Sequence, residues 1–236
     1  MFGGVRELLE KVGIPRGLFY YKFIPLWETF LNELGYEVVV SDQTNKRILD
    51  DGVKICVDEA CLPVKLFHGH VMNLKDRVDY ILIPRFTSIS RGEYICPEFG
   101  GLPDMVRHTV SGLPKIIDAE VNMRKSDKGA IKAAIEVAAV LGRDSKAAKK
   151  AFEKALIRLN YFNRQFLNGR IPFLEENSRT VPQNKNSRTV PLSAGVIGHP
   201  YNVYDRHVSM NLLGKLKACG IEPVTVEMVG EREINT

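Results

Sequence analysis

Short apolar runs, typical of buried strands, alternate with segments of helical periodicity through the first half of the chain. The predicted strands are residues 12–15, 37–40 and 80–83, and a run that starts at Ile116. The predicted helices are residues 17–34 with a break near Pro25, a short helix that ends at Asp51 before Gly52, and residues 64–74 and 104–109. Strands separated by helices at this spacing predict a parallel sheet with helical crossovers.

The pattern becomes purely helical from about Lys128. A first helix is predicted to end at Gly142, and residues 145–168 predict a second, longer one. Apolar side chains recur every three or four positions along the longer helix, which places them on one face. We expect this helical pair to be a connector that packs against the sheet.

Two internal repeats organise the rest of the chain. The hexapeptide NSRTVP occurs at residues 177–182 and again at 186–191, in a polar stretch that predicts an exposed linker. A longer repeat has a displacement of 185 residues, which pairs Gly13 with Gly198. It predicts two copies of one strand–helix–strand unit, each with glycine and proline just after its first strand, where ligands commonly bind.

These patterns predict an α/β protein with a partial second unit. The predicted parts are a Rossmann-like parallel sheet domain at residues 1–125, a helical connector at 126–170, a flexible linker at 171–193 and a partial second Rossmann-like unit at 194–236. The second unit has no cysteine loop of its own. We expect it to borrow sheet edge or core from the first domain or from a neighbouring chain.

Composition and charge exclude several classes of function. The 236 residues include 33 Lys and Arg against 28 Asp and Glu, a formal net charge of +5. Nucleic-acid binders cluster basic residues within a recognisable motif, which this sequence lacks, so we expect no nucleic-acid partner. No apolar run reaches the roughly 18 residues of a membrane span, and the N-terminal segment lacks a secretory core. We therefore expect a cytoplasmic protein with no membrane contact.

Cys61 and Cys96 carry the candidate chemistry. Each precedes a predicted helix start, and a proline, which the first helical turn tolerates, follows each within two residues. A thiol at a helix N-terminus faces free N–H groups and the positive end of the helix dipole, which favours the thiolate that binds soft metals or iron–sulfur clusters. The spacing matches no standard zinc or ferredoxin pattern, so two buried, inert cysteines are the alternative. Cys219 is predicted to be a core residue, and Cys56 is left undecided.

Five segments carry a family resemblance: VGIPRGLFYYKFIPLWETFLNELGYEVVVSDQTNK, VDEACLPVKLFHGH, DYILIPR, YICPEFGGLPDM and IGHPYNVYD, in this order. They resemble the activase-related proteins of the 2-hydroxyacyl-CoA dehydratase superfamily, which are cytoplasmic proteins of anaerobic bacteria and archaea. In the dehydratase subunits of that superfamily, cysteines on loops of Rossmann-like domains hold a 4Fe–4S cluster, and an actin-like ATPase supplies low-potential electrons. The resemblance implies a 4Fe–4S cluster as cofactor, with Cys61 and Cys96 as ligands.

A cluster needs more ligands than these two cysteines. Either Cys56 contributes, or a second subunit does, or the remainder of a longer chain does. A homodimer that shares one cluster supplies two thiolates from each chain and completes four. The expected partners are an activase-type ATPase or a dehydratase-like subunit, and the expected function is ATP-driven, low-potential electron transfer. The alternatives are a cluster-free Rossmann-like module for a small ligand or a CoA-like group, and a structural subunit with inert cysteines.

Further candidates lie around the cysteine motifs and the two strand–loop turns. Lys65, one helical turn beyond Cys61, is placed to offset the charge of an anionic cluster. The residues expected to line a shared ligand cleft are Arg16, Tyr20, His199, Tyr201 and Tyr204.

His68 and His70 are predicted to be packing or surface histidines rather than metal ligands. They lie two residues apart on a predicted helix, so their side chains point to different faces.

Overall fold

The computed structural model describes residues 9–126, 128–175 and 192–229. Its strands are β1 (Lys11–Ile14), β2 (Glu37–Val40), β3 (Tyr80–Leu82), β4 (Arg85–Ser88), β5 (Lys115–Ile117), β6 (Glu120–Asn122), β7 (Ser193–Val196) and β8 (Glu222–Thr225). Its α-helices are α1 (Tyr20–Glu33), α2 (Lys46–Ile55), α3 (Leu62–Leu74), α4 (Pro97–Thr109), α5 (Lys128–Val140), α6 (Ser145–Leu167), α7 (Pro172–Glu175), α8 (Pro200–Val203) and α9 (Leu212–Ala218), and a 3₁₀ turn spans Val226–Met228. No helix in these described ranges is both long and apolar enough to cross a membrane.

The main sheet is parallel, with strand order β2-β1-β3-β5. Apolar side chains alternate along its strands, so that Val12 and Leu82 pack on one face while Ile81 and Ile83 pack on the other. Helices α1, α5 and α6 cover the first face, and α3 and α4 cover the second. Burial on both faces is typical of parallel sheets. The predicted α/β class with a Rossmann-like parallel sheet is confirmed.

Strands β3 and β5 continue beyond the main sheet as the parallel pair β4 and β6. Pro84 separates β3 from β4, and the pairing resumes when the N–H of Arg85 donates to the carbonyl of Ala119 at 3.1 Å. The sequence pattern predicts the end of the strand at this proline, because proline has no N–H to donate. The extension matters because β4 leads directly into the loop that carries Cys96.

Four expectations about local structure are wrong. Helix α1 runs unbroken through Pro25, because Trp27, Phe30 and Leu31 beyond it are buried in the core. Helix α4 begins at Pro97, as the cysteine motif predicts, whereas the helical range expected from the chain pattern, residues 104–109, starts too late. Gly52 lies inside α2 rather than after it, and Cys219 is exposed rather than a core residue.

Gly52 and Gly69 bring α2 and α3 into close contact. A Cβ atom added at Gly69 would lie 1.9 Å from the carbonyl oxygen of Ile48, and one added at Gly52 would lie 2.0 Å from the carbonyl oxygen of Lys65. Only glycine fits at this backbone separation. The contact fixes the loop between the two helices, and that loop contains Cys61.

Residues 192–229, called the C-terminal unit below, contain a second parallel strand pair, β7 and β8. The displacement of 185 residues carries Glu37–Val40 of β2 onto Glu222–Thr225 of β8. It carries β1 onto residues 196–199, which overlap β7 only at its last residue. Gly198 and Pro200 therefore follow β7 as expected, whereas Gly13 lies inside β1 and only Pro15 follows it. Both NSRTVP copies lie outside the described residues.

The C-terminal unit shares its core with the rest of the chain. Val203, Tyr204 and Leu213 pack with Tyr21 of α1 and Phe166 of α6 in one apolar cluster. The C-terminal unit thus packs on the helices that cover the main sheet.

A buried hydrogen-bond network joins the C-terminal unit to the edge of the main sheet. The Asp205 carboxylate is 4% exposed, and its Oδ2 accepts from the hydroxyls of Tyr21, at 3.0 Å, and of Thr44. Its Oδ1 accepts from the backbone N–H groups of His207 and Val208 at 2.9 and 3.0 Å. Four donors thus satisfy a carboxylate that would be costly to bury unpaired.

The network continues to His70, which is fully buried. Its Nε2 lies 3.0 Å from Thr44 Oγ1, and its Nδ1 lies 2.9 Å from Ser41 Oγ. Because Thr44 donates its hydroxyl proton to Asp205, it accepts from Nε2–H, and Ser41 then donates to Nδ1. This assignment gives a neutral imidazole, and burial lowers the pKa of His70 to about 4. His68 is also fully buried, so both histidines are packing residues.

We expect Gly69→Ala to destabilise the protein by about 1–3 kcal/mol, because the new methyl group forces α2 and α3 apart. Gly101→Ala is the matched control, since no atom lies within 4 Å of a Cβ at that helical position. The control is expected to be neutral or to stabilise by up to about 1 kcal/mol. Urea unfolding of both variants and the wild type measures the difference. Equal stability of the two variants would contradict the close helix contact.

We expect the free energy of unfolding to fall as the pH drops below about 6.5, because the unfolded state then takes up a proton that folded His70 does not bind until about pH 4. Between pH 7 and pH 5, this residue alone removes about 2 kcal/mol. His70→Gln cannot titrate and is expected to lose that part of the pH dependence. His108→Gln, at an exposed histidine, is expected to keep it. Urea unfolding at both pH values checks this, and identical slopes for all three proteins would refute it.

Candidate functional site

Cys61 and Cys96 occupy equivalent positions at the starts of two neighbouring helices. Cys61 is the N-cap of α3 and Cys96 is the N-cap of α4, and each helix has a proline in its first turn. Proline suits these positions because the first helical N–H groups have no intrahelical partner. Both thiols are exposed. The structure therefore places two accessible sulfur atoms at the positive ends of two helix dipoles.

Glu98 connects the two cysteine loops. It lies in the first turn of α4, two residues beyond Cys96, and its Oε2 accepts a hydrogen bond from the Cys61 thiol at 3.2 Å. Partial burial and the nearby Glu98 carboxylate raise the pKa of Cys61, so the expectation that the helix start favours a thiolate is wrong for this residue. The protonated Cys61 thiol donates to the Glu98 carboxylate, and this bond holds the sulfur atom close to the start of α4. We call the Cys61, Cys96 and Glu98 side chains the thiol pair site.

Cys56 and Lys65 lie beside the thiol pair site but differ in exposure. Cys56 ends α2 and is buried in the apolar cluster below α3, and this burial raises its pKa. The Lys65 ammonium donates to the backbone carbonyl of Asp58 at 2.8 Å. Lys65 thereby braces the loop between α2 and α3, and its positive charge acts on Cys56.

Tyr201 of the C-terminal unit faces the thiol pair site. Burial raises the pKa of its phenol, and the nearby Cys61 and Cys96 raise it further. Its ring stacks on His199 with centroids 5.0 Å apart and lies 6.3 Å from the ring of Phe99. The site is thus built from α3, α4 and α8.

A cluster of ion pairs fixes the beginning of α4. Arg85 of β4 donates to both carboxylate oxygens of Asp104, at 2.7 and 3.1 Å, and to the carbonyl of Gly100 at 2.6 Å. It also pairs with Asp118, which Arg107 contacts at 2.9 Å. Because these groups are partly exposed, the cluster contributes more to orientation than to stability.

A cavity of about 470 Å³ lies between α1, α4, α6 and the C-terminal unit, and we call it the inter-unit cavity. Its side chains are mostly apolar, and it includes Cys96 but not Cys61. The residues that line it are Leu18, Phe19, Tyr21, Lys22, Ile89, Ile95, Cys96, Phe99, Phe162, Asn163, Phe166, Gly198, His199, Pro200, Tyr201, Tyr204, Val226 and Glu227. The volume falls within the range of small-molecule sites in proteins.

The five residues expected to line a shared cleft are divided by the structure. His199, Tyr201 and Tyr204 line the inter-unit cavity. Arg16 instead binds the end of β2, where its backbone N–H donates to Ser41 Oγ at 2.8 Å, and its guanidinium lies over the Tyr20 ring at 5.1 Å. Tyr20 lines a separate, smaller pocket of about 40 Å³.

Glu98, Lys22 and Asn163 are absent from the predicted site residues. Glu98 lies two residues after Cys96 in the segment YICPEFGGLPDM. This short distance from a cysteine is the sequence signal that could have identified it as a site residue. Lys22 and Asn163 lie on helices whose patterns predict packing, and only the three-dimensional contact of α1 with α6 brings them to one cavity.

Within the ranges that the structure describes, no three His, Cys, Asp or Glu side chains are close enough together to hold a metal ion. The thiol pair site fits a soft metal or an iron–sulfur group in the identity and exposure of its donors. It supplies two sulfur ligands, and the buried Cys56 is not grouped with them.

The comparisons with known proteins give one family match. Residues 11–229 match the family described as CoA enzyme activase uncharacterised domain. Searches of curated proteins and of solved structures gave no significant match. The match covers nearly the whole chain, including both cysteine motifs and the C-terminal unit. The chain therefore belongs to this activase-related family of the 2-hydroxyacyl-CoA dehydratase superfamily.

Proposed function

We propose that this protein binds a 4Fe–4S cluster through Cys61 and Cys96 and takes part in ATP-driven, low-potential electron transfer. The observation that carries the proposal is the pair of exposed thiols at the N-termini of α3 and α4, joined through Glu98. Thiolates are the usual ligands of iron–sulfur clusters, and metal binding would displace the proton that the Cys61 thiol donates to Glu98. Membership of an activase-related family supports an association with activase or dehydratase systems.

Two thiolates from one chain complete half of a four-cysteine ligand set. Cys56 packs in the core and the nearby carboxylates are poorer ligands for iron–sulfur clusters, which favours a second polypeptide or further residues of a longer chain as the source of the remaining ligands. A second copy of this chain supplies two equivalent thiolates across a twofold axis. Exposure of both sulfur atoms at the surface is what such a shared site requires.

Two neighbouring residues position the parts of the site that would bind the cluster. Lys65 fixes the loop before Cys61 through the Asp58 carbonyl, and its positive charge acts on Cys56. Glu98 orients the Cys61 sulfur toward α4. A bound cluster would accept and pass on single electrons at low potential.

The test is anaerobic reconstitution of the wild-type chain with ferrous iron and sulfide. We expect a brown protein with about four iron atoms for every two chains, and a shift from monomer to dimer in size-exclusion chromatography on loading. Cys61→Ala and Cys96→Ala are each expected to lose most of the iron and sulfide and to remain monomeric. Cys219→Ala is the matched control at an exposed cysteine outside the site, and it is expected to load like the wild type.

A colourless, iron-free wild type under these conditions would contradict the proposal. It would favour a cluster-free binding module or a structural subunit with inert cysteines. Equal loss of iron in Cys219→Ala and Cys61→Ala would show unspecific iron uptake. For a loaded protein, ATP-dependent bleaching of its visible absorbance by an activase-type ATPase tests the electron-transfer part.

A further inference from the structure

The inter-unit cavity has an apolar floor that nothing in the described part of the chain covers. Leu18, Tyr21, Phe166 and Tyr204 form its buried base, with exposed fractions of 3–5%. Aromatic rings that are only partly buried form the walls: Phe19, Phe99, Phe162 and Tyr201. The cavity has a volume of about 470 Å³. A ligand that removes these apolar side chains from water would gain binding free energy from the hydrophobic effect.

The aromatic rings of the lining pack against one another. Phe19 and Phe99 have centroids 4.7 Å apart, and Phe162 and Phe166 meet edge to face at 5.3 Å. Aromatic rings prefer offset-stacked or edge-to-face neighbours, so a ring in the guest extends the existing arrangement. The floor and walls therefore favour a ring-bearing molecule over a strongly polar one.

The rim of the cavity offers hydrogen-bond donors. Lys22, Asn163 and His199 are exposed there, and within the described residues no salt bridge involves Lys22. The one carboxylate on the lining, Glu227, already accepts the hydroxyl of Tyr204. The Lys22 ammonium lies over the Phe23 ring at 5.7 Å from its centroid. Together with the amide of Asn163 and the imidazole of His199, it matches an anionic, acceptor-rich group.

We propose that the inter-unit cavity binds a small ring-bearing carboxylate, with its ring on the aromatic floor and its carboxylate at Lys22. The bound molecule covers the side of Cys96 that faces the cavity and leaves Cys61 uncovered, since only Cys96 belongs to the lining. The site is formed by this chain alone and does not depend on a bound cluster. It is therefore independent of the proposed iron–sulfur function.

The test uses the metal-free, reduced protein and 4-phenylbutanoate as the probe. Iodoacetamide alkylation of each cysteine is followed by mass spectrometry with and without the probe. We expect saturating probe to slow alkylation of Cys96 at least about fivefold and to leave Cys219 unchanged. Cys61 serves as the nearby control, because it is exposed and lies outside the cavity lining. Protection of Cys96 with unchanged Cys61 and Cys219 supports the proposal.

The contribution of each part of the probe is tested by calorimetric titration. Butanoate lacks the ring and is expected to bind at least about tenfold more weakly than 4-phenylbutanoate. Lys22→Ala is expected to weaken 4-phenylbutanoate about tenfold and to leave the neutral 4-phenylbutan-1-ol unchanged. Lys149→Ala, at an exposed lysine on α6 outside the lining, is the matched control and is expected to bind like the wild type.

Three outcomes would overturn the proposal. One is no measurable binding of 4-phenylbutanoate together with unprotected Cys96. The second is equal protection of Cys96 and Cys219, which indicates an effect on alkylation in general. The third is equal weakening by Lys22→Ala and Lys149→Ala, which indicates non-specific charge attraction. Because no iron is present in these experiments, their failure leaves the reconstitution result unaffected, and failure of reconstitution leaves them unaffected.

Discussion

The buried Asp205 carboxylate is the group on which the arrangement of this molecule depends. A charged carboxylate at 4% exposure is tolerable only with its lone pairs filled, and its partners come from two parts of the chain. Its own loop supplies two backbone N–H groups, whereas Tyr21 and Thr44 reach it from α1 and from the loop after β2. Separation of the C-terminal unit would remove the second set of partners. The hydrogen bonds of the carboxylate therefore favour docking of the C-terminal unit, in addition to the apolar contacts of Tyr204 and Phe166.

Docking of the C-terminal unit completes the inter-unit cavity and brings Tyr201 to the thiol pair site. Tyr201 lies four residues before Asp205, so fixing the carboxylate also fixes the phenol that faces Cys61 and Cys96. The same docking closes one side of the inter-unit cavity with His199 and Tyr204. Helices α3 and α4 carry the thiols, and the C-terminal unit supplies Tyr201 opposite them. The inter-unit cavity therefore requires both parts of the chain, whereas the thiol pair itself lies on α3 and α4.

Local signals predicted what depends on local chemistry. The positions of Cys61 and Cys96 at helix starts follow from a proline in each first turn, and the buried strands follow from short apolar runs. Features that depend on contact between distant segments were not predictable in this way. Thr44 and Asp205 are 161 residues apart, and no periodicity marks either as buried. Cys219 was expected in the core, but it follows a helix of only seven residues, α9, and is exposed. The continuation of β3 as β4 was hidden by Pro84, which interrupts the hydrogen bonds but not the direction of the chain.

Cys96 is the point at which the thiol pair site and the inter-unit cavity meet. It begins α4, whose first turns are held by Arg85 through Gly100 and Asp104, so its position is set by rigid elements on both sides. Cys61 is held differently, by a thiol hydrogen bond to Glu98 and by the glycine contact between α2 and α3. One sulfur is thus open both to the surface and to an apolar cavity, and the other to the surface alone. This asymmetry follows from the fold rather than from the cysteines, since both occupy the same position at a helix start. It means that a molecule in the cavity can reach the site from one side only, through Cys96.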